Sequence, residues 1–181
     1  QHRELTRLGI DVEIVPGVPA FAAAAAALGA ELTVPAVGQS LLITRVSTLS
    51  TDMPDGEELD RLAQTGVTLA LHLAAHRATQ IVATLVPHYG SQCPTATVAF
   101  ASRDDEVVLR CPLSELAQQL ADHGIRRTAV IFVGRVLDPT SAATPSDSYL
   151  YSQARMTKLR DVGHADGHHG RDGGGGRDRL A

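Results

Sequence analysis

Val67-Thr68-Leu69-Ala70-Leu71-His72-Leu73 is apolar at nearly every position, and this run decides the fold class. A strand with one wet face alternates apolar and polar residues, whereas a strand in the middle of a covered sheet does not. The run therefore predicts a central strand. The segments after it fit the same plan. Ala75 to Leu85 has helical spacing and is expected to end before Pro87 and Gly90. Thr95 to Phe100 and Glu106 to Arg110 read as two strands joined through the acidic turn Asp104-Asp105. Leu113 to His123 is a predicted helix closed by Gly124, and Ala129 to Val136 a final buried strand. Strands alternating with helices give an α/β layer structure, and the hairpin makes its sheet mixed.

The pattern extends upstream. Leu41 to Thr44 reads as a strand, Asp52 to Gly56 as a turn, and Glu57 to Gln64 as a helix capped by Thr65-Gly66. Ala20 to Leu28 is an alanine-rich helix before Gly29, with high propensity and a nearly featureless surface, so neighbours can approach its backbone. Glu4 to Leu8 has helical spacing up to Gly9, and Val12 to Val15 alternates as a short strand should. A helix-glycine-strand opening is half of a βαβ unit, so the other half is expected upstream of Gln1. Downstream, Pro139 to Ser148 reads as a linker. Gly163 to Ala181 has no apolar period and is expected to be disordered. The expected organisation is residues 1–35 as the remnant of an N-terminal domain, 36–138 as a C-terminal α/β domain, and 139–181 as linker and tail.

Composition narrows the class. The 181 residues are 44% hydrophobic and 20% charged with a formal net charge of −4, which fits a globular domain and gives no general affinity for nucleic acid or acidic membranes. With no Trp, three Phe and three Tyr, the core falls to Ala, Val and Leu. Cys93 and Cys111 make neither a disulfide framework nor a metal knuckle and are expected as small buried groups in a reducing compartment, the cytoplasm. The longest apolar run, Phe21 to Leu28, is too short to span a bilayer. His164, His168 and His169 lie in glycine-rich surroundings with no preformed geometry, so no metal site is expected.

Three stretches carry a resemblance: Val15-Pro16-Gly17-Val18-Pro19-Ala20-Phe21 before the alanine helix, Thr68 to Ala74, and Thr128 to Val136. Together they resemble the tetrapyrrole methylases, at the junction closing that family's N-terminal domain, the strand passing the methyl donor, and the closing strand. Leu42-Ile43-Thr44-Arg45, Met53 to Leu59, Leu85 to Gly90, Cys93-Pro94 and Ser148 to Ser152 resemble the precorrin-4 C11-methyltransferases within it, from residue 1 to about Arg160. The family's opening glycine-rich loop and Gly-Asp-Pro motif are not in the sequence, so the chain resembles an N-terminally truncated member, in which donor binding is expected to be weak or absent and methyl transfer impaired. In Ala99 to Glu106, Ala99, Phe100, Arg103 and Asp104 replace the family's usual aromatic, Arg, Trp and Pro.

The resemblance implies a tetrapyrrole methylase fold, S-adenosylmethionine as methyl donor, precorrin-4 or cobalt-precorrin-4 as acceptor, and a homodimer. It implies donor contacts from Pro19 and Ala20, Leu73, the hydroxyl of Ser102, and the backbone of Ala129. For Leu73 and Ala129 the alternative is plain core packing. Thr44 and Arg45 end a strand facing the presumed cleft. A guanidinium there suits the carboxylates of a precorrin, and the alternative is a solvated strand end. Arg135 is a weaker candidate for the same task. His72 is either a general base for the C-11 proton or a hydrogen-bonded structural residue, since no carboxylate orienter stands beside it. Two other readings stay open: a methylase acting at another ring position, and a non-catalytic binding or dimerisation fragment.

Overall fold

The computed structural model describes residues 1–47 and 52–140. These lie in one compact unit, Gln1–Thr144; the second unit, Pro145–Ala181, falls outside the described residues, as do the expected tail and most of the linker.

Five strands form one mixed sheet: β1 (Leu41–Arg45), β2 (Thr68–His72), β3 (Pro94–Ala99), β4 (Val107–Pro112) and β5 (Ala129–Val133), in the order β1-β2-β5-β3-β4. β1 and β2 are parallel, while β5 runs antiparallel to both β2 and β3, and β3–β4 is the expected antiparallel hairpin. β2 is interior, as its continuous apolar run predicts, but the middle place belongs to β5. Leu69, Ala70 and Leu71 are completely buried because both faces of the sheet are covered.

After the short opening helix α1 (His2–Arg7), α2 (Ala20–Leu28) covers one face of the sheet, and α3 (Leu59–Ala63), α4 (Ala78–Tyr89) and α5 (Leu116–Asp122) cover the other. Alternation along each strand sorts the core accordingly. Ala70, Val98, Val130 and Phe132 face α2; Leu69, Leu71, Ile131 and Val133 face the other helices. α2 meets the sheet through Ala24 and Leu28, stops at Gly29 in the left-handed conformation (φ 59°), and has its last carbonyl, that of Leu28, accepting from the Arg110 guanidinium at 2.6 Å. α4 buries Ala78, Ile81 and Leu85, a three- and four-residue spacing that is one helical stripe.

Several boundaries differ from those the sequence predicts. Val12 to Val15 forms no strand: alternation needs a partner ladder, and among the described residues none lies beside it. Ile14 and Val15 are left 78% and 76% exposed. α4 does not stop before Pro87 but runs through it to Tyr89. Proline removes one helical bond. Against that, the continued turn lets the Tyr89 hydroxyl donate to the Val67 carbonyl at 2.6 Å, and burial pushes that phenol's pKa up to about 12. α3 begins only at Leu59, because Glu58 is extended and its carboxylate accepts the Gly56 N–H at 2.9 Å. β5 ends at Val133, where Gly134 turns to φ 156°.

Candidate functional site

β1 and β2 end together, with Arg45 and His72 as their last register pair. β3, parallel to β2 through their shared neighbour β5, ends at the same side, and β5 starts there. The carboxyl ends of three strands therefore open on one edge, where an open α/β sheet places its cleft.

That edge is strained. Among the described residues five non-glycine positions have positive φ, and four are here: Leu73 at 54°, Phe100 at 57°, Ser102 at 65° and Thr128 at 53°. Each costs an L-residue roughly 1–2 kcal/mol, and such positions collect at functional sites. Local bonds hold Phe100, Ser102 and Thr128. The Phe100 N–H donates to the Thr128 carbonyl at 2.9 Å, and the Ser102 N–H to Glu106 Oε2 at 2.8 Å. Arg103 donates to both carboxylate oxygens of Asp105, at 2.8 and 3.1 Å, while its guanidinium lies 5.2 Å from the Phe100 ring centre. This is the loop whose residues depart from the family pattern, and Arg103 has a defined task in it.

Leu73 is 66% exposed, so core packing does not explain it. Ala129 is half-buried, packs on the core and pairs with Ala99. The β2–β5 register ends at His72 and Val130, so Leu73 and Ala129 are each one step beyond that pair on the same side. Ser102 is exposed on the β3–β4 connection at this edge.

Beside the strained rim is a cavity of about 550 Å³. Pro19 and Phe21 come to it from the start of α2, Ile43, Thr44 and Arg45 from β1, His72 from β2, and Met53, Pro54 and Glu57 from the turn after β1. Its size is ordinary for a small-molecule site. Pro19, Thr44 and Arg45 thus share one wall, with Ala20 opening α2 next to Pro19; Leu73, Ser102 and Ala129 share the edge but do not line the cavity. Arg135 lies in the turn after β5, at the opposite end of the sheet, and does not join the site. His164, His168 and His169 lie outside the described residues.

His72 Nε2 is buried and has no hydrogen-bond partner among the described residues, which removes the reading of a hydrogen-bonded structural histidine at that atom. Its ring meets the Phe21 ring edge to face, 6.5 Å between centres at 82°, and burial lowers its pKa. Phe21, Ile43, Met53, Pro54 and Glu57 line the cavity without having been expected there from the sequence. Phe21 carried a signal, as the lone aromatic in an alanine helix; Met53 and Glu57 sit in a turn, where no period points at a wall.

Residues 1–117 match the family described as Tetrapyrrole (Corrin/Porphyrin) Methylases. The chain belongs to this family. Its five-stranded mixed sheet between helical layers is the tetrapyrrole methylase fold. Over 155 residues it is 55% identical to a precorrin-4 C(11)-methyltransferase of Rhodococcus erythropolis, a match covering 86% of this chain and 61% of that protein. The solved structure of a cobalt precorrin-4 methyltransferase superposes with a TM-score of 0.72 at 35% identity, covering 76% of this chain and 58% of the other. A uroporphyrin-III C-methyltransferase from Thermus thermophilus, solved with S-adenosylhomocysteine, superposes with a TM-score of 0.57 at 27% identity, covering 74% of this chain and 55% of that one. The chain thus spans about three fifths of the length of this methylase relative.

Proposed function

We propose that this methylase chain contributes to S-adenosylmethionine-dependent methyl transfer onto C-11 of precorrin-4 or cobalt-precorrin-4, in cobalamin synthesis. The observation that carries the reading is the meeting, at one sheet edge, of a strained rim and a cavity walled by Arg45. The relatives' names supply the substrate class, and the S-adenosylhomocysteine complex of a family member supplies the donor class.

The residues fit a donor held by backbone groups rather than by charged side chains. The rim positions Leu73, Ser102 and Ala129 end or leave their ladders, and Pro19 precedes the amino end of α2, where N–H groups lack helical partners. When bound, S-adenosylmethionine supplies an activated methyl group whose sulfur leaves as a neutral thioether, so no metal or covalent nucleophile is required. The protein's share is alignment and exclusion of water, which can contribute up to ~7–11 kcal/mol of the barrier. Arg45 pairs with a peripheral carboxylate of the macrocycle, Thr44 backs it, and Phe21, Ile43 and Met53 give the apolar wall for a flat ring. We infer also that the chain pairs with a second copy, because Ile14, Val15 and Val18 stand exposed in a row.

The test is direct. Incubation with precorrin-4 and S-adenosylmethionine labelled in its methyl carbon places the label on the tetrapyrrole, and carbon NMR of the product locates it at C-11. Label at another ring position moves the substrate assignment. Label that stays on the donor, with both ligands saturating, contradicts methyl transfer by this chain.

A further inference from the structure

Among the described residues two buried side-chain polar atoms have no hydrogen-bond partner, His72 Nε2 and Thr97 Oγ1. Thr97 is sealed inside the sheet and 1% exposed. His72 is on the wall of the cavity beside the strained rim. Buried polar groups are almost always satisfied, so an unsatisfied one beside a cavity points to a partner that arrives with the ligand.

Among the described residues no hydrogen bond fixes the imidazole, and the Phe21 ring packs against it edge to face. The torsion about its Cβ–Cγ bond is intrinsically broad, so the ring can turn Nε2 from the wall into the cavity. The charged groups lining that cavity are Arg45 from β1 and Glu57 from the turn; α2 contributes none. Burial lowers the pKa of His72, so a neutral ring with one free lone pair is the resting form. Leu73, on the rim assigned above to the methyl donor, is the next residue in the chain.

Resting on the methyl-transfer reading, we propose that His72 is the base that accepts the ring N–H proton of the tetrapyrrole as the methyl group arrives. C-11 is an α-carbon bonded to nitrogen, to a ring carbon and to a bridge carbon, so the C-11 proton expected as the target of His72 does not exist and the proton lost must come from elsewhere. The ring π pair forms the new C–CH3 bond while the S–CH3 pair goes to sulfur. Positive charge passes to the adjacent ring nitrogen, whose proton moves to His72 Nε2. A neutral C=N bond remains in the ring, and the imidazolium returns its proton to solvent. The nitrogen that must lose the proton is one bond from the carbon that gains the methyl, and the two protein residues concerned are one peptide apart.

The experiment compares the wild-type chain with His72→Phe, which keeps the packing on Phe21, and His72→Gln, which keeps a polar head but cannot take a proton. Circular dichroism checks the fold of both, and either variant suffices. Single-turnover transfer to precorrin-4 is followed against pH, with fluorescence titration of uroporphyrin, a stable tetrapyrrole with ring N–H groups, in parallel. In the variants the rate falls by ~10²-fold or more while uroporphyrin affinity stays within a few-fold. The wild-type rate declines as pH drops through a value below the ordinary ~6.5 of histidine, and the variants lack that limb. Uroporphyrin also moves the His72 Nε2 nitrogen resonance of the wild type. Unchanged rates and pH profiles in the variants, while the wild type transfers methyl, overturn the base role alone, as does loss of uroporphyrin affinity without loss of saturated rate. A wild type that neither binds uroporphyrin nor transfers methyl overturns the methyl-transfer reading beneath it.

Discussion

Arg45 and His72 are partners at the last position of the parallel β1–β2 ladder, so their side chains leave the sheet together on the face covered by α2 and both line the cavity. One is a cation with a bidentate fork; the other is an imidazole kept neutral by burial. Placed side by side, they suit the proposed division of the cavity, with Arg45 facing a carboxylate and His72 an N–H.

Arg45→Ala removes the fork. Uroporphyrin binding is expected to weaken by ~1.5–3 kcal/mol, the worth of a hydrogen bond to a charged group, while affinity for S-adenosylhomocysteine stays unchanged. Fluorescence titration and calorimetry measure the two separately. A fall in the second affinity instead puts Arg45 on the donor side of the cleft.

His72 also links stability to pH. Its folded pKa lies below the unfolded value, so as pH falls the unfolded chain takes up the proton first. The contribution is intact above the unfolded value of ~6.5 and is lost as pH drops through the lower folded value. Melting curves across that window should show a steeper decline for wild type than for His72→Phe. Parallel curves would mean that the ring is not held away from water.

At the other end of the sheet, Gly134 lets β5 pass close to β2. A β-carbon on it would lie 3.1 Å from the Thr68 α-carbon and 3.2 Å from its hydroxyl oxygen, at a backbone φ of 156°. Backbone cannot yield as a side-chain tip can. Gly134→Ala is therefore expected to cost ~1–3 kcal/mol in chemical denaturation. It lies far along the sheet from the cavity, so uroporphyrin affinity of the folded fraction should be retained. A neutral effect on stability would show that β5 shifts freely.

Ile14, Val15 and Val18 are 78%, 76% and 77% exposed. Such a row favours association. Light scattering at micromolar concentration should report a species heavier than the 19.1 kDa chain, and Val15→Glu with Val18→Glu should shift it towards the monomer. A wild-type monomer of 19.1 kDa contradicts the pairing.

The sheet was legible where burial dictates composition. β5 is apolar along its length and β2 at its three central positions because both faces are covered, and the α2 boundary is set by Gly29. Legibility failed where structure depends on a distant partner. The alternation of Val12 to Val15 is real, but no described strand pairs with it; Pro87 stays helical because Tyr89 reaches Val67. At the site, Arg45 and Thr44 follow from a strand ending in a polar pair. The left-handed backbone at Leu73 and Thr128 has no signature, since neither residue type favours it. Met53 and Glu57 reach the cavity from a turn, whose fold back over β1 no local pattern encodes.

The most direct test of the account is a nitrogen–proton NMR titration of the labelled chain with S-adenosylhomocysteine, which reads weak binding as readily as tight. The amides of Ala20, Leu73, Ser102 and Ala129 should move together along one binding curve, while those of Cys111 and Gly134, at the far end of the sheet, stay still. Movement centred on the far end, or no movement at millimolar ligand, would contradict the placement of the methyl donor at the strained rim.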